Sequence, residues 1–164
     1  MYRVITCNTN GIRAAARKGF FGWLSQQSAD VVCIQEIKAK EVQLTDSVFY
    51  PEGYHCFYNE AERPGYSGTA IFAKEKPQRV VSRLDWEIVD SEGRYLQVDF
   101  PGLSVISLYV PSGSASEKAQ ARKDGFMGPF YEHLAALRRT RRAFIICAAW
   151  NTCPPNRALN NWRA

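Results

Sequence analysis

Histidine is nearly missing from this chain, with two residues in 164, and none of its five cysteines forms a Cys-x-x-Cys pair. An odd cysteine count without that spacing argues against a zinc site or a disulfide framework and fits a reducing compartment. Cys7, Cys33 and Cys147 fall in apolar strand-like segments, where free thiols behave as small core residues. Long apolar runs are missing too, so no stretch spans a bilayer. The apolar run at residues 4–7 is too short for a signal peptide, and polar Asn8–Asn10 follows at once. The expected setting is cytoplasmic, without membrane contact or an obligate protein partner. No repeat, low-complexity tract or linker divides the chain, which reads as one domain over residues 1–164.

What is present is enough for a core: 46% hydrophobic and 13% aromatic residues. The net charge of +5 is concentrated. Residues 118–142 hold seven basic side chains (Lys118, Arg122, Lys123, Arg138, Arg139, Arg141 and Arg142) against Asp124 and Glu132. Such a patch could contact a polyanion, or could complement a helix C-terminus and keep it solvated.

The pattern predicts strands at Tyr2–Cys7, Val31–Gln35, Tyr54–Asn59, Gly68–Lys74, Gln78–Leu84, Tyr95–Phe100, Leu103–Val110 and Ala143–Ala148. Helices are expected near Ala14–Gln26, Lys40–Asp46 and Glu117–Arg139, the last interrupted by Gly125, Gly128 and Pro129. Pro101-Gly102 reads as a tight turn, and Pro154-Pro155 forbids a regular element after the last strand. Helix crossovers at both ends with strands between them imply an α/β fold of two mixed sheets flanked by helices, antiparallel in the middle.

Four of these strands end on polar residues suited to phosphate chemistry: Asn8, Glu36, Tyr109 and Asn151. Strands that deliver an amide, a carboxylate and a phenol at their carboxyl ends can build one pocket. Glu36 leaves an apolar strand and could supply an oxygen to Mg²⁺, which takes few protein carboxylates. Equally, it could favour a following helix N-terminus. Tyr109 could donate to a phosphate oxygen, with Ser112–Ser114 offering hydroxyls and backbone N–H groups; Asn151 is a further donor, and Trp150 reads as core. The fourth strand carries Ala148 and Ala149 where such a site would want a carboxylate.

The ordered motifs Asn-x-Asn-Gly-Ile-Arg, Gln-Glu-Ile-Lys-Ala, Gly-Tyr-Ser-Gly-Thr-Ala, Glu-Gly-Arg-Tyr, Ser-Leu-Tyr-Val-Pro-Ser-Gly-Ser and Trp-Asn give the chain a family likeness. It resembles the exonuclease III and AP-endonuclease family of DNA-repair nucleases, most closely over residues 1–114. That resemblance implies a four-layer α/β sandwich hydrolysing DNA phosphodiesters, at a duplex abasic site or 3′ end, with Mg²⁺ or Mn²⁺. Glu36 would hold the metal, with Asn8 beside it. Tyr109 would contact the phosphate, and Asn151 would orient phosphate or water. Arg94, Lys123 and Ser112 would contact the DNA backbone.

The departures carry equal weight. Where the family has Gly-Asp-Trp-Asn, this chain has Ala148-Ala149-Trp150-Asn151. Residues 152–159 leave the family pattern, and Asn161-Trp162-Arg163 returns to it. The family's later strands and its Asp-His pair do not follow, and His55 and His133 lie in other segments. The expectation is therefore a domain incomplete at its C-terminus and nearly inactive alone. A non-catalytic nucleic-acid-binding regulator of the same fold and an inactive fragment are the alternatives; retention of Glu36 speaks against the regulator.

Overall fold

The computed structural model describes residues 2–113 and 116–151. Ser114, Cys153, Pro154-Pro155 and Asn161-Trp162-Arg163 lie outside the described residues. Strands β1 (Val4–Asn8), β2 (Val31–Gln35), β3 (His55–Asn59) and β4 (Thr69–Ala73) form a first sheet in the order β1-β2-β4-β3. Strands β5 (Arg79–Val81), β6 (Tyr95–Phe100), β7 (Leu103–Tyr109) and β8 (Ala143–Ala149) form a second in the order β5-β6-β7-β8. The β1–β2 and β7–β8 pairs are parallel and the others antiparallel, as the positions of the helical crossovers require.

The crossover between β1 and β2 is not the single helix expected over Ala14–Gln26. It is two short helices, α1 (Ile12–Arg17) and α2 (Phe20–Ser25), parted by Gly19 in a left-handed conformation that a glycine adopts at least cost. The expected helix over Lys40–Asp46 is also smaller. It reduces to 3₁₀ turns at Glu41–Gln43 and Ser47–Phe49, with Asp46 capping the second through the Val48 N–H. A short helix α3 (Glu87–Asp90), unforeseen in the sequence, precedes β6.

The long helix α4 (Glu117–Arg138) runs without a break through Gly125, Gly128 and Pro129. Those three residues lie on its exposed side, while Lys123, Phe126 and Phe130 are buried on the other. The burial of that side against the sheet outweighs the local propensity cost, because helices in proteins draw most of their stability from packing.

Period-two alternation gives each sheet one face for the other sheet and one for the helices. Val32 and Ile34 pack with Ile12, Phe21 and Leu24 of α1 and α2. Their neighbours Val31 and Cys33 face the other way, against Leu96, Val98, Val105 and Cys147 of the second sheet. Ile106 and Leu108 pack under Phe126 and Phe130 of α4. The order is helices, sheet, sheet, helices. No described helix is long and apolar enough to cross a membrane.

Two consequences reach the site. Residues 105, 107 and 109 of β7 and 145, 147 and 149 of β8 share the face towards the first sheet, so Tyr109 and Ala149 point into one seam and stand opposite each other in register. The Arg138–Arg142 cluster, by contrast, adjoins Ala143, which pairs with Leu103 at the far end of β7. A strand of that length separates the cluster from Tyr109 by about 20 Å. Arg142 is moreover engaged internally, donating to Ser104 Oγ at 3.0 Å and to Leu103 O at 3.0 Å.

Candidate active site

The chain turns sharply after β2, and Glu36 occupies a left-handed conformation at φ 55°. Backbone bonds hold it there: Gly11 N–H donates to Glu36 O at 2.7 Å and Ile37 N–H to Gly68 O at 3.2 Å. Gly68 is required at this point, because a Cβ on it would lie 2.5 Å from Ile37 Cγ1. The turn aims the Glu36 carboxylate across the seam between the sheets.

Three groups meet it. Asn8 Nδ2 donates at 2.8 Å from the end of β1, and the Lys38 ammonium lies 2.9 Å away. The Tyr109 hydroxyl approaches from the end of β7, near enough for each group to shift the other's titration. Burial alone would raise the Glu36 pKa, but the hydrogen bonds from Asn8, Lys38 and Tyr109, with the Lys38 charge, hold it below the usual carboxylate range. Tyr109 is pushed above the usual phenol range by burial and by its bond to the Glu36 charge, against the opposing pull of Arg94 and Asn151. The pair is therefore a carboxylate and a protonated phenol at neutral pH.

Asn8 is itself fixed, its Oδ1 accepting from the Asn10 N–H at 2.9 Å. Asn151, left-handed at φ 49°, donates to Val110 O at 2.7 Å and lies beside the Tyr109 hydroxyl. The four residues singled out at strand ends thus share one cluster.

Arg94 and Lys123 are turned inward rather than towards a ligand. Arg94 is 1% exposed. Its guanidinium stacks 4.8 Å from the Tyr109 ring centroid and donates to Tyr109 O at 2.8 Å, to Glu92 at 2.6 Å and to Tyr66 OH at 3.1 Å. Lys123 is buried, with its ammonium on Trp150 O at 3.3 Å and on Asn151 O. Both reach the site by holding its members. Ser112 lies exposed in the loop after β7. Trp150, expected in the core, is 41% exposed and meets Phe130 only edge-on.

Two clefts flank the cluster. Asn10, Gly11, Arg13, Arg17 and Lys38 line one, while Arg63, Tyr66, Glu92, Lys118 and Arg122 line the other. Arg122 bonds both Glu92 and Tyr66. Tyr66, Glu92 and Arg122 were not among the residues the sequence singled out for the site. The signal was the Gly65-Tyr66-Ser67-Gly68 turn, in which Gly65, Ser67 and Gly68 all take positive φ.

No three His, Cys, Asp or Glu side chains cluster among the described residues. Glu36 Oε1 is taken by Asn8 Nδ2 and Oε2 by the Lys38 ammonium, so a magnesium ion would have to displace these bonds to reach the carboxylate. The ion's six oxygens commonly include one or two protein carboxylates, the remainder being water and substrate phosphate, and Glu36 with Asn8 supplies a minimal protein share.

Comparison with known proteins decides the lineage. The model of the endonuclease/exonuclease/phosphatase family matches residues 5–164. The chain belongs to that family. A curated relative is the exodeoxyribonuclease of Bacillus subtilis, 38% identical over 111 residues, covering 67% of this chain and 43% of the relative. Another is the DNA repair nuclease APEX1 of Danio rerio, 28% identical over 97% of this chain and 52% of the relative. The chain thus spans about half the length of these family members. An AP endonuclease structure from Archaeoglobus fulgidus superposes with a TM-score of 0.80 at 28% identity, over 95% of this chain and 60% of that one.

Proposed function

We propose that this chain acts on DNA as a metal-dependent phosphodiesterase of the AP-endonuclease and exonuclease type, in DNA repair, and that Mg²⁺ or Mn²⁺ serves it. The observation that carries this reading is the meeting of Glu36 and Tyr109 across two sheets, with Asn8 and Asn151 at the same point. DNA processing by the family relatives supports the substrate class.

In this reading Glu36 and Asn8 hold the divalent ion, which when bound neutralises and polarises the phosphate. Asn8 and Lys38 keep the carboxylate ionised and aimed. Tyr109, held protonated, turns its hydroxyl from Glu36 to a non-bridging phosphate oxygen. Arg94 fixes the plane of its ring from behind. Asn151, held by Lys123 and Val110, adds a second donor. Lys118 and Arg122 on one side, and Arg13 and Arg17 on the other, take flanking phosphates.

One role has no holder among the described residues. Ala149 lies beside Tyr109 in the seam, where a base would hold the attacking water. A positioned base typically contributes about 10²–10⁴-fold. Ala149 therefore also favours a second reading, a nucleic-acid-binding regulator that contacts DNA without cutting it.

Incision of an abasic duplex with Mg²⁺ separates the two. The nuclease reading expects slow cleavage, abolished by Glu36→Gln and raised only slightly by Ala149→Asp alone. Saturable DNA binding with no metal-dependent cleavage in the chain or its Ala149→Asp variant would establish the regulator instead. Absence of DNA binding would sink both.

A further inference from the structure

Glu36 and Tyr109 belong to different sheets, and no strand pairing connects them. Most of the material between the sheets is apolar: Val31, Cys33, Ile71, Leu96, Val98 and Val105. Apolar burial is non-directional, so it sets how close two sheets lie better than how far one slides along the other. A site that must hold a carboxylate and a phenol within hydrogen-bonding reach across that layer needs something directional.

A polar cluster sits at that level. Gln35 is the last residue of β2 and 1% exposed; Ser107 lies two residues before Tyr109 and is fully buried. Gln35 Nε2 donates across the seam to Ser107 Oγ at 3.0 Å and to Cys147 O at 3.4 Å. Ser107 Oγ donates back to Ile34 O at 3.0 Å. Thr6 Oγ1 of β1 completes the set, donating to Gln35 Oε1 at 3.3 Å. Four strands, β1 and β2 of one sheet and β7 and β8 of the other, are tied together one residue before Glu36 and two before Tyr109.

We propose that Gln35 and Ser107 are positioning residues for the Glu36–Tyr109 pair: a two-way hydrogen-bonded clamp that fixes the sliding register of the sheets where the site crosses from one to the other. The inference rests on the proposal that this pair acts together on a phosphodiester. The clamp's chemistry supports a role beyond holding the fold. Every side-chain hydrogen-bonding group of Gln35 and Ser107 used here has a partner, and such a network gives a unique arrangement more surely than it adds stability. Replacing both partners by apolar groups of similar shape can leave stability nearly unchanged. Catalytic geometry is less forgiving, since active groups must be held within about 0.5 Å of their productive positions.

The test is an NMR measurement on the metal-free chain. It compares the cross-sheet contact between the Tyr109 ring and the Glu36 methylenes with the within-sheet contact between Asn8 and Glu36. In Gln35→Met/Ser107→Ala the cross-sheet contact should be lost, while the within-sheet contact and the melting temperature hold. Ser107→Thr, which keeps the hydroxyl, should retain both contacts. Val105→Ala, a cavity in the same apolar layer, should lower the melting temperature and leave both contacts intact. If the double variant fails to fold, Ser107→Ala alone decides by the same contacts. A cross-sheet contact that survives loss of the clamp, or that Val105→Ala removes equally, overturns the proposal. Adding Mn²⁺ to the unaltered chain tests the underlying reading separately: no broadening at Asn8 or Tyr109 would remove the metal role and leave the clamp result standing.

Discussion

The first sheet brings its share of the site on β2, whose residues are all buried, and meets the Glu36 carboxylate with two donors of its own, Asn8 and Lys38. The second brings Tyr109 on the equally buried core of β7, but its neighbour β8 is half-exposed and ends in Ala148 and Ala149. One side of the seam thus carries a carboxylate held ionised. The other carries Tyr109 and Asn151 and has an alanine, not a carboxylate, at the position beside Tyr109. The two halves of the seam differ in charge as well as in packing: a carboxylate held by an amide and an ammonium on one side, a phenol and an amide beside an alanine on the other.

The comparison breaks most severely where the sheets are joined. Gly93 takes φ 56°, and a Cβ there would lie 2.4 Å from Asn59 O, on backbone that cannot yield cheaply. Gly93→Ala should cost about 3 kcal/mol, the upper range for single substitutions. Denaturant unfolding checks it, and a loss below about 1 kcal/mol would show that the junction between the sheets is pliable.

A smaller effect separates two basic regions. Lys118 and Arg122 border the site, whereas Arg138, Arg139 and Arg141 lie at the other end of the second sheet. Removing Lys118 or Arg122 should lower the salt slope of DNA binding by about 0.9 each. Neutralising the three distal arginines should leave the slope alone. The reverse pattern would move the DNA to the other end of the molecule.

The mildest effect is on acid stability. Glu36 is more acidic folded than unfolded, so between its folded value and the ordinary carboxylate range the unfolded chain binds more protons. Its stabilising contribution is complete above that ordinary range and fades as pH falls through the folded value. Glu36→Gln should flatten this part of the stability profile, and an unchanged acid limb would show that Asn8, Lys38 and Tyr109 do not favour the charged form.

Much of this was legible in the sequence, and the reasons are physical. The nearly continuous apolar run Val31–Gln35 and the β-branched character of Leu103–Val110 mark both strands and the residues at their ends. The crossovers gave the parallel pairs. Residues whose roles depend on tertiary partners were less visible. Arg94 and Lys123 read as outward cations because charge in a sequence carries no sign of burial. Their partners, Tyr66, Glu92 and the carbonyls of Trp150 and Asn151, come from distant segments. Pro129 read as a break because its cost is local while the burial of Phe126 and Phe130 is not. Gly19, a left-handed stop between two short helices, is a breaker the sequence shows within the expected helix over Ala14–Gln26.

The proposed divalent ion would be held at a point shared by both sheets, with Glu36 as its carboxylate. Mn²⁺ titration followed by NMR line broadening tests it most directly. Asn8 of the first sheet and Tyr109 and Asn151 of the second should broaden together, and Glu36→Gln should remove all three effects. Broadening confined to one sheet, or persisting unchanged in Glu36→Gln, would contradict it.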